Sequence, residues 1–131
     1  MNTRTAGPLG RYRHVARLAV IIWALVIFGF SSLHGSDIPG NYSVLGHFIL
    51  YFILGGLLLL ALGRPSRAAL AAAVMLASAY GITDEFHQSF VPGRCPDPAD
   101  WAVDTGSAII GAAVAVLLLL FIREHNRRVS A

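Results

Sequence analysis

Lysine is absent from this 131-residue chain, cysteine occurs once, and only 13% of the residues are charged. Each scarcity excludes something. A single cysteine cannot form an internal disulfide, so Cys95 supplies no staple and says little about redox compartment. No paired-cysteine metal site, phosphate-binding glycine loop or Ser-His-Asp signature in its usual context occurs. Charge is about half of the roughly 25% usual in soluble domains, whereas 56% of the chain is hydrophobic. A water-soluble domain of this size has too little interior for so much apolar side chain. The composition points to a membrane protein with room for about four spans.

Four apolar stretches are present: Val15 to Leu33, Val44 to Leu62, Ala68 to Thr83 and Trp101 to Ile122. At about 1.5 Å per residue, all but the third cover a hydrocarbon core of about 30 Å. The third is short, so it is expected to continue as helix toward Phe90 and to carry Asp84 and Glu85 to membrane depth. The expected fold is all-α: one membrane domain over residues 1–131, a four-helix bundle with spans near 15–33, 44–62, 68–90 and 101–122. A cleaved signal peptide is the alternative for the first span. Its apolar run is long for one, and "SSLHGSDIPG" offers no small-x-small alanine site, so retention is expected.

Orientation follows from arginine. Arg4, Arg11, Arg13 and Arg17 precede the first span, Arg64 and Arg67 separate the second and third, and Arg123, Arg127 and Arg128 follow the fourth. With four spans these regions share one side, and their positive charge makes that side, with both termini, cytoplasmic. Arg94 alone lies opposite. The arginine-rich ends match anionic lipid at the cytoplasmic leaflet, and no nucleic-acid partner is expected. His14 and His125 fit the membrane surface.

The acids divide the other way. Five of the seven lie between Asp84 and Asp104, and only Glu124 falls on the arginine-rich side. On the second span His47, Tyr51 and Gly55 follow at i, i+4 and i+8 and so share a face. On the third, Ala77, Gly81, Asp84 and Gln88 share a stripe flanked by Glu85 and His87. On the fourth, Asp100, Asp104, Ser107 and Gly111 do the same. Ionisable groups in lipid cost at least about 2.5–3.5 kcal/mol and turn inward, while small residues let helix backbones approach. The stripes therefore predict a bundle that is tight toward the cytoplasm and opens outward into an acid-lined pocket.

Plainer readings exist for each residue. His47 alone could be a hydrogen-bonded interface histidine. Asp100 is expected to cap the fourth helix, near Asp97 and Pro98. Trp101, like Trp23 and Tyr42, could belong to an interfacial aromatic belt. Arg94 could be a loop charge, or could hold the carboxylates together or bind an anion. The whole set could be a structural polar network. His34 and Asp37, in a Gly/Pro-rich loop, give weak signals.

"LGHFILYFILG" followed by "YGITDEFHQSFVPGRCPDPADWAVDTGSAIIG" resembles the VanZ-like family of small bacterial membrane proteins. The family pattern is a histidine and tyrosine on one span, then D-E-x-x-Q-x-F-x-P-x-R and D-x-x-x-D-x-G. Here these are His47 and Tyr51; Asp84, Glu85, Gln88, Phe90, Pro92 and Arg94; and Asp100, Trp101, Asp104 and Gly106. The resemblance covers about Ser31 to Gly111. One departure is that "NYSVLGH" lacks the Asp-Lys pair often found before the histidine. The resemblance implies a multi-pass protein of the bacterial plasma membrane, associated with lowered sensitivity to the glycopeptide teicoplanin.

Three functions compete. The first is binding of an envelope lipid or lipid-linked precursor head group by His47, Tyr51, Asp84, Glu85, Gln88, Arg94, Asp100, Trp101 and Asp104, with Trp101 packing on a ring or acyl chain. The second is an intramembrane enzyme acting on an envelope lipid. Its candidate catalytic and metal-ligating residues are His47, Asp84, Glu85 and Asp104, with a divalent cation as the possible cofactor. D-x-x-x-D on a span is also found in lipid phosphotransferases, but their other acids and glycine are missing. The third is a proton or ion pathway. Below Tyr51, Gly81 and Ser107 no ionisable residue continues inward, so a path would need groups from another subunit of a homo-oligomer.

Overall fold

Local sequence sets where the helices begin and end in the computed structural model, which describes residues 8–37, 40–63 and 65–130, with side chains from residue 12 onward and, in the second helix, from Ser43. The helices are α1 (Pro8–Ser31), α2 (Gly40–Leu62), α3 (Arg67–Gln88) and α4 (Pro98–Val129), with a 3-10 turn at Gly35–Asp37 and no strand among the described residues. All four are long and apolar enough to cross a membrane. The side chains of Arg4, Arg11, Arg64 and Tyr42 lie outside the described residues.

Ser66 caps α3, its hydroxyl accepting the Ala69 N–H at 3.2 Å. Asp97, not Asp100, caps α4: its carboxylate accepts the Ala99 N–H at 2.8 Å, and Pro98 follows at the first helical position, where a missing N–H costs nothing. The expectation for Asp100 is corrected by three residues, which frees its carboxylate to face inward from the first turn. Gly63 (φ +70°) ends α2, its N–H reaching back to the Leu59 and Leu60 carbonyls at 3.2 and 3.1 Å. Several boundaries differ from the expected spans, and two of them bear on the site and the tail. α1 stops at Ser31, short of Leu33, and α4 continues past Ile122 through "REHNRRV". No breaker interrupts that tail, Arg128 pairs with Glu124 at 3.1 Å, and the basic last turn suits the helix dipole.

Among the described residues, α2 packs against all three other helices, most extensively against α4, while α1 and α4 do not meet. The α2–α4 crossing depends on glycine. A Cβ on Gly55 would overlap the Ala108 backbone, and one on Gly111 would overlap the Phe52 carbonyl. Away from the acids the interior is Leu59, Ala73, Ala112 and Ala115; nearer to them it is Ile27, Tyr51, Leu54, Ala77 and Ala108. Many other large apolar side chains point outward: Leu18, Ile21, Ile22 and Leu25 on α1, and Leu117, Leu118 and Phe121 on α4. This inversion of a soluble core is what a lipid solvent demands. Trp23, open to a belt reading in sequence, instead pins α1 to α2 by donating to the Leu50 carbonyl at 2.8 Å. Tyr80 likewise ties α3 to α1 through the Ala24 carbonyl at 2.6 Å.

Candidate functional site

Two connections close the acid-rich end. Val91–Arg94 is a type II turn, with Pro92 second, Gly93 third at φ +76°, and the Arg94 N–H bonded to the Val91 carbonyl at 3.1 Å. The turn docks on the α1–α2 connection, where the Gly35 N–H donates to the Pro92 carbonyl at 3.3 Å. Gly35 lies so close to Gly93 that any Cβ would overlap its backbone. This docking aims Arg94 at α1: the guanidinium donates to the Leu33 carbonyl at 3.2 Å and the Phe30 carbonyl at 3.3 Å. It thus satisfies the Leu33 carbonyl just beyond α1 and adds a second donor to the Phe30 carbonyl, which also accepts the Leu33 N–H at 3.2 Å. Among the described residues, Arg94 makes no ion pair with the acids, so it does not hold the carboxylates together.

The acids form two groups on either side of His47. In the first, buried Asp84 accepts a short hydrogen bond from the Ser31 hydroxyl and a 3.2 Å bond from the Gln88 amide, which also reaches Ser31 Oγ at 3.4 Å. In the second, His47 Nδ1 lies 2.9 Å from Asp104 Oδ1, and its Nε2 lies 3.8 Å from Asp100 Oδ2. Glu85 Oε2 accepts the Asp97 N–H at 2.8 Å, tying α3 to the cap of α4. Gly81 makes room for the pair, since a Cβ there would press on Asp104 Oδ2 at 3.2 Å. Among the described residues, three buried side-chain oxygens have no partner: Tyr51 Oη, Glu85 Oε1 and Asp104 Oδ2.

A cavity of about 320 Å³ opens beside the first group. Ser31, His47, Tyr51, Asp84, Gln88 and Arg94 give it a polar lining, and Phe30, Leu33 and Leu50 an apolar one. Of the expected site residues, Glu85, Asp100 and Asp104 lie outside this lining, linked to it through His47. Trp101 does not join the site. Its indole N–H donates to the Ser78 carbonyl and hydroxyl at 3.2 and 3.1 Å, on the α3–α4 seam. His87 also turns away, toward Ser32 and the Phe28 ring. Sequence reasoning missed Ser31, which holds Asp84, and undervalued Asp37, which lines the cavity.

The expected metal set also regroups. Asp84 is occupied by Ser31 and Gln88, and Asp104 stands behind the imidazole. Ligand atoms of His47, Glu85 and Asp100 lie within 4.8 Å of one another. Among the described residues, Asp104 alone of these three buried acids pairs with the imidazole, and none of Asp84, Glu85 and Asp104 pairs with a guanidinium.

The family model described as VanZ/LLP1 matches residues 11–121, which contain every residue of this site. The chain belongs to the VanZ-like family. Comparison with curated proteins and with solved structures gave no match. The VanZ-like match and the four apolar helices together make this a multi-pass membrane protein.

Proposed function

We propose that this VanZ-like protein binds the head group of an envelope lipid, or of a lipid-linked cell-wall precursor, at the outer face of the bacterial plasma membrane, with both termini cytoplasmic, and thereby lowers sensitivity to teicoplanin. The observation that carries the reading is the two-sided cavity at the end of the helices. Its polar lining suits a hydroxylated or phosphorylated head group, and Phe30, Leu33 and Leu50 suit the start of an acyl or prenyl chain. Tyr51 Oη is buried and unpartnered there. Arg94 uses Nε and one Nη on carbonyls, and its remaining N–H groups are free for a phosphate or sugar oxygen. Trp101 has no part in this version. Beyond Tyr51 the interior is leucine and alanine, which fits binding rather than conduction.

Mass spectrometry of the protein purified with its native lipids tests this directly. The wild type is expected to retain one envelope lipid class, and Gln88→Ala to lose it; a lipid profile matching the bulk membrane would sink the reading. Orientation has its own reporter, because Cys95 is the sole cysteine and is exposed. A membrane-impermeant maleimide should label it in intact spheroplasts, and labelling only after lysis contradicts the orientation.

The second reading, an intramembrane enzyme on the same lipids, is favoured by one feature: His47 is oriented by Asp104 as a general acid–base would be. No turnover of extracted envelope lipids would remove it.

A further inference from the structure

We infer that His47, Glu85 and Asp100 form a site for one divalent transition-metal ion, Zn²⁺ or Mn²⁺, at the acid-rich end of the bundle. The three side chains come from α2, α3 and α4, and one ligand atom of each lies within 4.8 Å of the others. Clustered acids alone do not make a site. Glu85 adds the first independent sign: it is 8% exposed, yet Oε1 has no hydrogen-bond partner. A carboxylate oxygen buried without a partner carries a desolvation cost that a cation removes.

The second sign is how His47 is held. Its Nδ1 lies 2.9 Å from Oδ1 of Asp104, a residue with no exposed surface. With Asp104 ionised, its carboxylate only accepts, so in the neutral imidazole Nδ1 carries the proton and the free lone pair is on Nε2. Nε2 is the ring atom that faces Asp100 Oδ2, at 3.8 Å. A carboxylate behind the imidazole and an open nitrogen in front is the arrangement that orients metal-ligating histidines. One imidazole and two carboxylates suit Zn²⁺ or Mn²⁺ better than Mg²⁺, which prefers oxygen ligands and keeps its waters. Asp104 is then a positioning residue. The inference stands apart from the head-group reading, because Glu85 and Asp100 do not line the cavity, although His47 belongs to both.

The test is titration of the purified, chelator-stripped full chain in detergent with Zn²⁺, Mn²⁺ and Mg²⁺, followed by calorimetry and elemental analysis. One Zn²⁺ or Mn²⁺ per chain is expected, with a raised melting temperature. Glu85→Gln and Asp100→Asn should lose saturable binding, and Asp104→Asn should weaken it by about 10–100-fold. His14→Ala and His125→Ala, at exposed residues far from the cluster, should bind as wild type. Absence of saturable binding to the wild type, or unchanged binding in Glu85→Gln or Asp100→Asn, overturns the inference. Should a variant fail to fold, the absorption spectrum of the Co²⁺-loaded wild type decides. Nitrogen–oxygen coordination supports the site, and a spectrum of the hydrated ion refutes it.

Discussion

At the Gly63 end the helices meet through Leu59, Ala73, Ala112 and Ala115, whereas at the Arg94 end they meet through Ser31, His47, Asp84, Glu85, Gln88 and Asp104. The first arrangement is what close packing in lipid requires: small side chains and backbone contact. The second holds buried ionisable groups that cost at least about 2.5–3.5 kcal/mol each, against roughly 0.6 kcal/mol returned by an average interhelical hydrogen bond. Three of the four buried side-chain atoms without partners, among the described residues, are also at the Arg94 end. A bundle selected only to hold together would repeat its apolar end at both ends. On the proposed reading, the polar end is where stability is given up for function.

The sharpest break of the apolar arrangement is Gly111→Leu. Its Cβ would overlap the Phe52 carbonyl, and neither helix backbone can yield cheaply. A loss of about 3 kcal/mol, the upper end of overpacking costs, is expected as a collapse of the folded fraction in detergent. Next is Asp104→Leu, which strips His47 of its partner at a cost of about 1–3 kcal/mol. The His47→Leu/Asp104→Leu double variant should recover most of that in denaturant titration, because an apolar pair replaces a buried polar one, while the site is lost. Strict additivity of the two single variants would contradict the coupling. Arg94→Ala should cost about 1 kcal/mol, the scale of a helix-end cation. Hydrogen exchange would show it as fraying confined to the end of α1, with membrane expression intact and the teicoplanin phenotype abolished.

Much of this comparison is legible in the sequence, for identifiable reasons. Apolar run length gives the four helices, and the i, i+4 spacing of His47, Tyr51 and Gly55 puts them on one face whatever the rest of the fold does. What fails is whatever depends on how helices rotate against one another. Ser31 reaches Asp84 across 53 residues, and nothing distinguishes it beforehand from Ser32, which bonds to its own helix at the Phe28 carbonyl. Asp97 and Asp100 both suit a helix start beside Pro98, and a shift of three residues decides which carboxylate is spent on the cap. Arg94 points at α1 because Gly93 docks on Gly35, a contact between two turns that no periodicity encodes. Trp101 has the composition of a binding residue, but the Ser78 carbonyl and hydroxyl claim its only donor.

The smallest change tests the central claim most directly. Tyr51 has no exposed surface, and its hydroxyl is without a partner at the wall of the cavity. If the polar end exists to hold a ligand, Tyr51→Phe removes a desolvation cost of about 1 kcal/mol and raises the melting temperature of the lipid-free protein, while the co-purified envelope lipid is lost. A melting temperature that falls while the lipid stays bound would mean that the hydroxyl serves the fold, and would contradict the account.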